Sequence, residues 1–146
     1  MTASIRVASE ADLASRLRLS VTRLARRLRT QLPGDISPSQ LSALSSVERL
    51  GPLTLGELST VERVKPPTMT RIVACLEEQG LVTRTVDQSD RRVARVRATP
   101  EGRRFLEHSR DRKDAYLAER LRDLDPDDRA ALERAVAVLE DLLEGG

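Results

Sequence analysis

The chain is poor in aromatic residues and cysteine. Its 146 residues include one Phe, one Tyr, no Trp and a single Cys. Aliphatic side chains must therefore fill the interior, and no disulfide can form within the chain. No secretory leader pattern and no apolar run near the roughly 18 residues of a membrane-spanning helix occur. These absences argue against a membrane protein or a disulfide-stabilised secreted one, so we expect a single-domain cytoplasmic protein.

Residue patterns typical of catalytic and metal sites are also missing. His108 is the only histidine, and no cysteine lies near it, so there is no metal-ligand spacing. The chain has no Ser/His/Asp or Cys/His pairing and no glycine-rich loop for phosphate. We therefore expect no enzyme activity, no catalytic residues, no metal and no cofactor.

Positive charge is concentrated in the middle of the chain. The net charge is only +2, yet residues 63–104 carry ten basic and five acidic groups, whereas residues 105–146 carry seven and twelve. A basic surplus concentrated in one region is typical of a surface that binds a polyanion. The alternative is a set of charges that only solvates the surface.

Two short helices are predicted around the start of this basic region. Thr54 and Glu57 have the spacing of a reciprocal capping box. The apolar residues that follow at helical spacing are Leu55, Leu58 and Val61. Together these features predict a first helix that begins at Thr54.

The second helix is predicted after Lys65, because Pro66 and Pro67 fit a first helical turn. Gly80 fits the left-handed position past its end. Its predicted buried face consists of Met69, Ile72, Val73 and Leu76. The polar residues left facing outwards near its start are Thr68, Thr70 and Arg71. In a helix-turn-helix this end of the second helix meets base edges in the major groove.

After Gly80 the pattern changes from helical to alternating. Residues 81–86 and 93–98 read as two strands around a polar turn, and Leu53 is expected to add a short third strand. The hairpin carries five arginines: Arg84, Arg91, Arg92, Arg95 and Arg97. Arginine suits phosphates and narrow minor grooves, so residues 37–99 are predicted to form a winged helix-turn-helix that binds DNA.

Helices with apolar faces flank this unit. We predict helices over residues 11–32, 38–49 and in two segments of 100–146, with residues 1–10 as a loose arm. Ser37 and Gln40 form a second capping box, and Pro33 to Asp35 end the first helix. The predicted fold is mainly α with a small β-hairpin wing, and residues 11–32 and 100–146 are inferred to form a dimerisation region.

The arrangement closely resembles the MarR family of bacterial transcriptional regulators over nearly the whole chain. The stretches that carry the resemblance are residues 53–58, 68–71, 78–84, the wing motif Asp87-x-x-Asp90-Arg91-Arg92 and residues 98–102. It implies a homodimer, most often a repressor, whose two winged units read the halves of a palindrome in double-stranded DNA. It also implies a small, often phenolic, effector that binds between the dimerisation and DNA-binding regions and releases DNA.

The resemblance also implies roles for individual residues. Thr68, Thr70 and Arg71 match positions that contact bases and phosphates. Arg92 matches an arginine that enters the minor groove, Asp90 helps to hold it, and Arg91 lies nearby on phosphate. The remaining positions expected in the DNA interface are Lys65, Pro67 and Arg84. For Asp90 and Arg92 the alternative is an ordinary exposed ion pair in a turn.

Two further alternatives stay open at this point. The winged unit could bind a protein partner, although its arginine-rich wing argues against an apolar or acidic contact face. Cys75 could be a redox sensor, but it lies beside Ile72 and Leu76, where a lone cysteine is usually a small apolar residue.

Overall fold

The computed structural model describes residues 9–31, 34 and 36–146. Within these residues the chain forms six helices and three short strands. In chain order they are α1 (Glu10–Arg29), α2 (Pro38–Leu50), β1 (Leu53–Thr54), α3 (Leu55–Glu62), α4 (Pro66–Glu78), β2 (Val82–Val86), β3 (Ala94–Ala98), α5 (Pro100–Leu121) and α6 (Pro126–Glu144). The predicted order of elements is confirmed. Most of the predicted arm, together with Leu32, Pro33 and Asp35, lies outside the described residues.

Polar side chains cap the starts of the helices other than α4. Ser37 and Gln40 form the predicted capping box at α2, with both of its hydrogen bonds at 3.2 Å. At α3, Thr54 accepts the Glu57 N–H at 3.1 Å. The Glu57 carboxylate does not reach back to Thr54 among the described contacts, so only half of that predicted box forms. Thr99 and Asp125 cap α5 and α6 in the same way.

The three strands form one small antiparallel sheet in the order β1-β3-β2. Val82 pairs with Ala98 at the base of the hairpin, and Val86 pairs with Ala94 near its tip. Leu53 lies opposite Val96, which confirms the predicted third strand. The central strand β3 therefore joins the hairpin to the segment that begins α3.

The apolar core belongs entirely to the middle of the chain. Its buried members are Ile36, Ala43, Leu44, Val47, Leu58, Met69, Ile72, Val73, Leu76, Leu81, Val82, Val96, Ala98 and Leu106. The buried face predicted for α4 is confirmed in full. Val61 was expected on the apolar stripe of α3 with Leu55 and Leu58 but is 41% exposed, one residue before that helix ends.

The terminal helices contribute nothing to this core. In α1 and α6 no residue is buried. Their large apolar side chains are exposed instead, including Leu13, Leu19, Val21 and Leu24 in α1 and Leu132, Val136, Val138, Leu142 and Leu143 in α6. Nothing in the described part of the chain covers these apolar faces.

The end of α4, the wing and α5 meet at one junction. The Thr99 hydroxyl donates to the Gly80 carbonyl at 2.6 Å and accepts the Gly102 N–H at 3.0 Å. The Thr99 N–H donates to the Leu81 carbonyl at 3.1 Å. Gly102 is buried against that same carbonyl, so closely that a Cβ atom would overlap the Leu81 oxygen. Gly80 itself has φ +73°, as its predicted left-handed position requires.

No helix in the described part of the chain is long and apolar enough to cross a membrane.

The Gly102 contact predicts a stability effect. Gly102→Ala should lower the free energy of unfolding by roughly 2–4 kcal/mol, because the added methyl displaces backbone rather than a flexible side chain. Gly56→Ala is the matched control, since a Cβ atom at Gly56 in α3 meets nothing closer than 3.9 Å. That control should leave stability unchanged or raise it by up to about 1 kcal/mol. Urea unfolding followed by far-ultraviolet circular dichroism measures both, and equal effects would contradict the close contact.

Candidate nucleic-acid interface

The connection between α3 and α4 is a three-residue turn. Arg63 adopts φ +55° and ψ +43°, a left-handed conformation that is uncommon for any residue other than glycine. The N–H of Arg63 donates to the Thr60 carbonyl and that of Val64 to the Ser59 carbonyl, which closes the end of α3. Lys65 is then extended, and α4 begins at Pro66. The turn therefore reverses the chain within residues 63–65.

The start of α4 offers side chains rather than backbone donors. Pro66 and Pro67 have no N–H, and the N–H groups of Thr68 and Met69 both donate to the Lys65 carbonyl at 3.0 and 3.1 Å. No side chain caps this end. A phosphate at this helix end would have to be bound by side chains, because these backbone donors are already engaged.

The predicted contact residues on α4 are accessible. Lys65, Pro67, Thr70 and Arg71 are exposed, and Thr68 is half-buried. The Thr70 hydroxyl donates to the Pro66 carbonyl at 3.0 Å, so its oxygen remains available as an acceptor. The structure thus brings these five side chains together at one end of α4.

The tip of the wing is organised by two aspartates. Asp87 accepts the hydroxyl and the N–H of Ser89, at 2.6 and 2.9 Å. Asp90 accepts the backbone N–H of Arg92 at 3.1 Å and its Nε at 3.2 Å. The side chain of Arg92 is nevertheless 91% exposed. An ion pair this exposed adds little stability, so its effect is to restrict the directions in which the guanidinium can point.

The same contacts keep both aspartates ionised. Hydrogen bonds from the side chain of Arg92, and then from its backbone N–H, lower the pKa of Asp90 below its usual value. For Asp87, the hydroxyl and then the N–H of Ser89 lower the pKa, with a smaller contribution from Arg95. Both carboxylates are therefore charged at neutral pH and partly neutralise the arginines around them.

The hairpin arginines divide into paired and unpaired groups. Arg84 Nε lies 2.7 Å from Glu77 Oε1, and Arg95 lies 3.7 Å from Asp87. Arg91 and Arg97 form no ion pair with any described residue, and on α4 the same holds for Arg71. Arg84 thus links β2 to α4, and its predicted contact with DNA stays a prediction.

A cavity of about 700 Å³ lies beside the winged unit, between α2, α5 and the end of α1. Four cationic residues line it, Arg29, Arg49, Arg110 and Lys113, against the single carboxylate of Glu48. Ser109 also lines this cavity, and its buried hydroxyl has no hydrogen-bond partner among the described residues. The residues of this cavity were not identified from the sequence, because Ser109 lies in residues 107–114, a run without a large apolar side chain.

No cluster of potential metal ligands occurs in the described residues. Cys75 is half-buried on α4 and free.

A three-residue turn between two helices, an accessible second helix and an arginine-bearing hairpin define a winged helix-turn-helix DNA-binding protein. Comparison with known proteins agrees. The model of the MarR family matches residues 36–94. An uncharacterized HTH-type transcriptional regulator of Mycobacterium leprae is 39% identical over 93% of this chain and 96% of its own length.

Solved structures show the same similarity. A putative transcriptional regulator from Pseudomonas aeruginosa is 36% identical with a TM-score of 0.78, over 90% of this chain and 93% of its own. A MarR family protein from Bacillus stearothermophilus is 30% identical with a TM-score of 0.73, over 92% and 94%. The chain belongs to the MarR family. It is a DNA-binding transcriptional regulator and not an enzyme.

Proposed function

We propose that the chain is a homodimeric repressor that acts in the cytoplasm, binds a palindromic operator and is released from it by a small-molecule effector. The observation that carries this proposal is the division of the chain into two kinds of surface. The winged unit presents unpaired arginines and accessible threonines, and the terminal helices present apolar faces that the described residues leave uncovered. Repression itself rests on the resemblance to the family.

In this proposal α4 is the recognition helix. Thr68, Thr70 and Arg71 contact bases and phosphates in the major groove, with Lys65 and Pro67 at the groove edge. Arg92, oriented by Asp90, enters the minor groove, and Arg91 and Arg84 lie near phosphates. The accessibility of the α4 side chains and the 91% exposure of the Arg92 side chain support these roles.

Charge and apolar surface support a dimer built from the terminal helices. Helix α1 carries six arginines and two carboxylates, whereas α6 carries six carboxylates and two arginines. Their exposed apolar faces are therefore flanked by charges of opposite sign, so α1 of one protomer suits α6 of its partner. Two-fold symmetry would place the two recognition helices one DNA turn apart, roughly 34 Å or a multiple of it, which predicts a palindromic operator.

The cavity beside α5 supports an effector site. Its walls come from α1, α2 and α5, so a bound molecule would lie between the winged unit and the proposed dimerisation region. Four cations and the unpartnered Ser109 hydroxyl suit a small compound with an anionic group and a polar group. A phenolic carboxylate has both.

Two arginine substitutions test the proposed contacts of Arg71 and Arg92 with DNA. Selection from a random duplex pool should return a palindrome, and anisotropy titration on that duplex should show Arg71→Ala and Arg92→Ala weakening binding by about 1–3 kcal/mol each. Arg122→Ala removes an exposed arginine at the end of α5 and is the control. Wild-type affinity in both test variants would refute the assigned roles.

A charge placed on α6 tests the dimer. Val136→Glu should convert a dimer to a monomer in size-exclusion chromatography with light scattering, because it buries a carboxylate in the apolar interface. Operator affinity should fall with it, since the two winged units no longer bind as a pair. Val61→Glu is the matched control: Val61 is 41% exposed and Val136 46%, but Val61 lies on α3. Dissociation by Val61→Glu alone would place the interface elsewhere.

Calorimetry with hydroxybenzoate tests the effector site. Hydroxybenzoate should bind and lower operator affinity, and the neutral hydroxybenzamide should bind about tenfold more weakly, because it lacks the carboxylate. Lys113→Gln should reduce that difference. Equal binding of the acid and the amide, or no binding of either, would contradict an anion-selective site in this cavity.

A further inference from the structure

The last residue of α3 is held by two serines from another helix. Ser42 donates to Glu62 Oε2 at 2.7 Å, and Ser46 donates to Glu62 Oε1. The serines lie four residues apart on α2, on one face of that helix. Both oxygens of one carboxylate are thus bound by side chains distant in sequence. We call Ser42, Ser46 and Glu62 the serine-glutamate clamp.

The clamp lies directly before the turn that leads into α4. Arg63, in its left-handed conformation, follows Glu62, and only two further residues precede Pro66. Only Arg63, Val64 and Lys65 separate Glu62 from the first residue of α4, so the position of Glu62 bears directly on where α4 begins. The first turn of α4 has no side-chain cap that could fix it independently.

Packing around this turn is incomplete. An open cavity of about 370 Å³ is bordered by Ser42 and Glu62 on one side and by Val64, Met69 and Ile72 on the other. Met69 in the first turn of α4 is fully buried, so this cavity lies at the open edge of the core. The clamp is a direct polar link between α2 and the last residue of α3, beside this cavity and next to the turn.

We propose that Ser42, Ser46 and Glu62 are positioning residues for DNA recognition: they set the place of the first turn of α4, and thereby operator affinity, without touching DNA. This inference rests on the proposed role of α4 as the recognition helix. It adds three residues of α2 and α3 to those that determine selectivity.

Electrostatics alone makes the opposite prediction. Removing a carboxylate from a DNA-binding unit reduces repulsion of phosphate, so Glu62→Ala should then bind every duplex more tightly. If the clamp positions α4, Glu62→Ala instead binds the operator more weakly while binding to random duplex is unchanged or stronger. The ratio of operator affinity to random-duplex affinity separates the two effects, and a role in folding stability alone does not change it.

The experiment measures that ratio by anisotropy titration with the full chain, on the duplex selected from a random pool and on a scrambled duplex. Glu62→Ala should lower the ratio by about tenfold, the loss expected when one base contact is misplaced. Glu62→Gln should restore it, because the amide can still accept from one serine and donate to the other. Ser42→Ala, at an exposed position that does not threaten folding, should lower the ratio to a smaller extent.

Glu78→Ala is the matched control, since it removes an exposed carboxylate from the end of α4 that takes part in no described ion pair. It should keep the wild-type ratio. Adding Ser42→Ala to Glu62→Ala should cause no further loss, because both act on one contact. A wild-type ratio in both Glu62→Ala and Ser42→Ala overturns the inference.

These measurements also distinguish an error in the clamp inference from an error in the proposed function. If Arg71→Ala weakens operator binding while Glu62→Ala does not, only the clamp is wrong. If the wild-type protein selects no sequence, the proposed function is wrong and the clamp inference falls with it.

Discussion

The contact between Gly102 and the Leu81 carbonyl is the constraint on which the winged unit depends. Because residue 102 has no side chain, the first turn of α5 can lie directly against the backbone at the base of the wing. Thr99 completes the junction, because its hydroxyl and its N–H donate to the carbonyls of Gly80 and Leu81. The same hydroxyl caps the start of α5. The end of α4, the base of the hairpin and the start of α5 are therefore fixed relative to one another. The Arg84–Glu77 ion pair adds a second link between wing and helix, so the orientation of the hairpin is determined at its base and not at its polar tip.

Much of this fold could be predicted from the sequence, because the signals involved are local. A cap residue and an apolar period act over a few neighbours, which is why the start of α2 at Ser37, the buried face of α4 and the pairing of Leu53 with β3 are confirmed. Exposure of the predicted contact residues on α4 follows from the same periodicity. The hairpin was recognisable from its change to alternation, although Val93, predicted as the first residue of its second strand, belongs to the turn.

Other features depend on contacts that no local pattern encodes. Arg63 takes a conformation that favours glycine, because the closure of α3 over residues 59–64 requires it. Glu62 reads as an ordinary surface carboxylate until α2 brings two serines to it. In the sequence Arg84 resembles the other arginines of the wing, yet its guanidinium pairs with Glu77 of α4. Ser109 is buried within a polar segment of α5, where it lines a cavity together with residues of α2. For Glu62 and Arg84 the deciding partner lies on another element, so only the tertiary arrangement reveals it.

The composition of the core has a spectroscopic consequence. With no tryptophan in the chain, tyrosine emission comes from Tyr116 alone, and that ring lies under the guanidinium of Arg120, 3.5 Å from its centre. Tyr116 belongs to the second half of α5, beyond the core of the winged unit. Intrinsic fluorescence therefore reports on the helix that joins the DNA-binding core to the terminal region, and it does not register the aliphatic core itself. A tryptophan introduced anywhere in the winged unit would therefore be the only tryptophan, and its fluorescence would overlap with the weak emission of just one tyrosine.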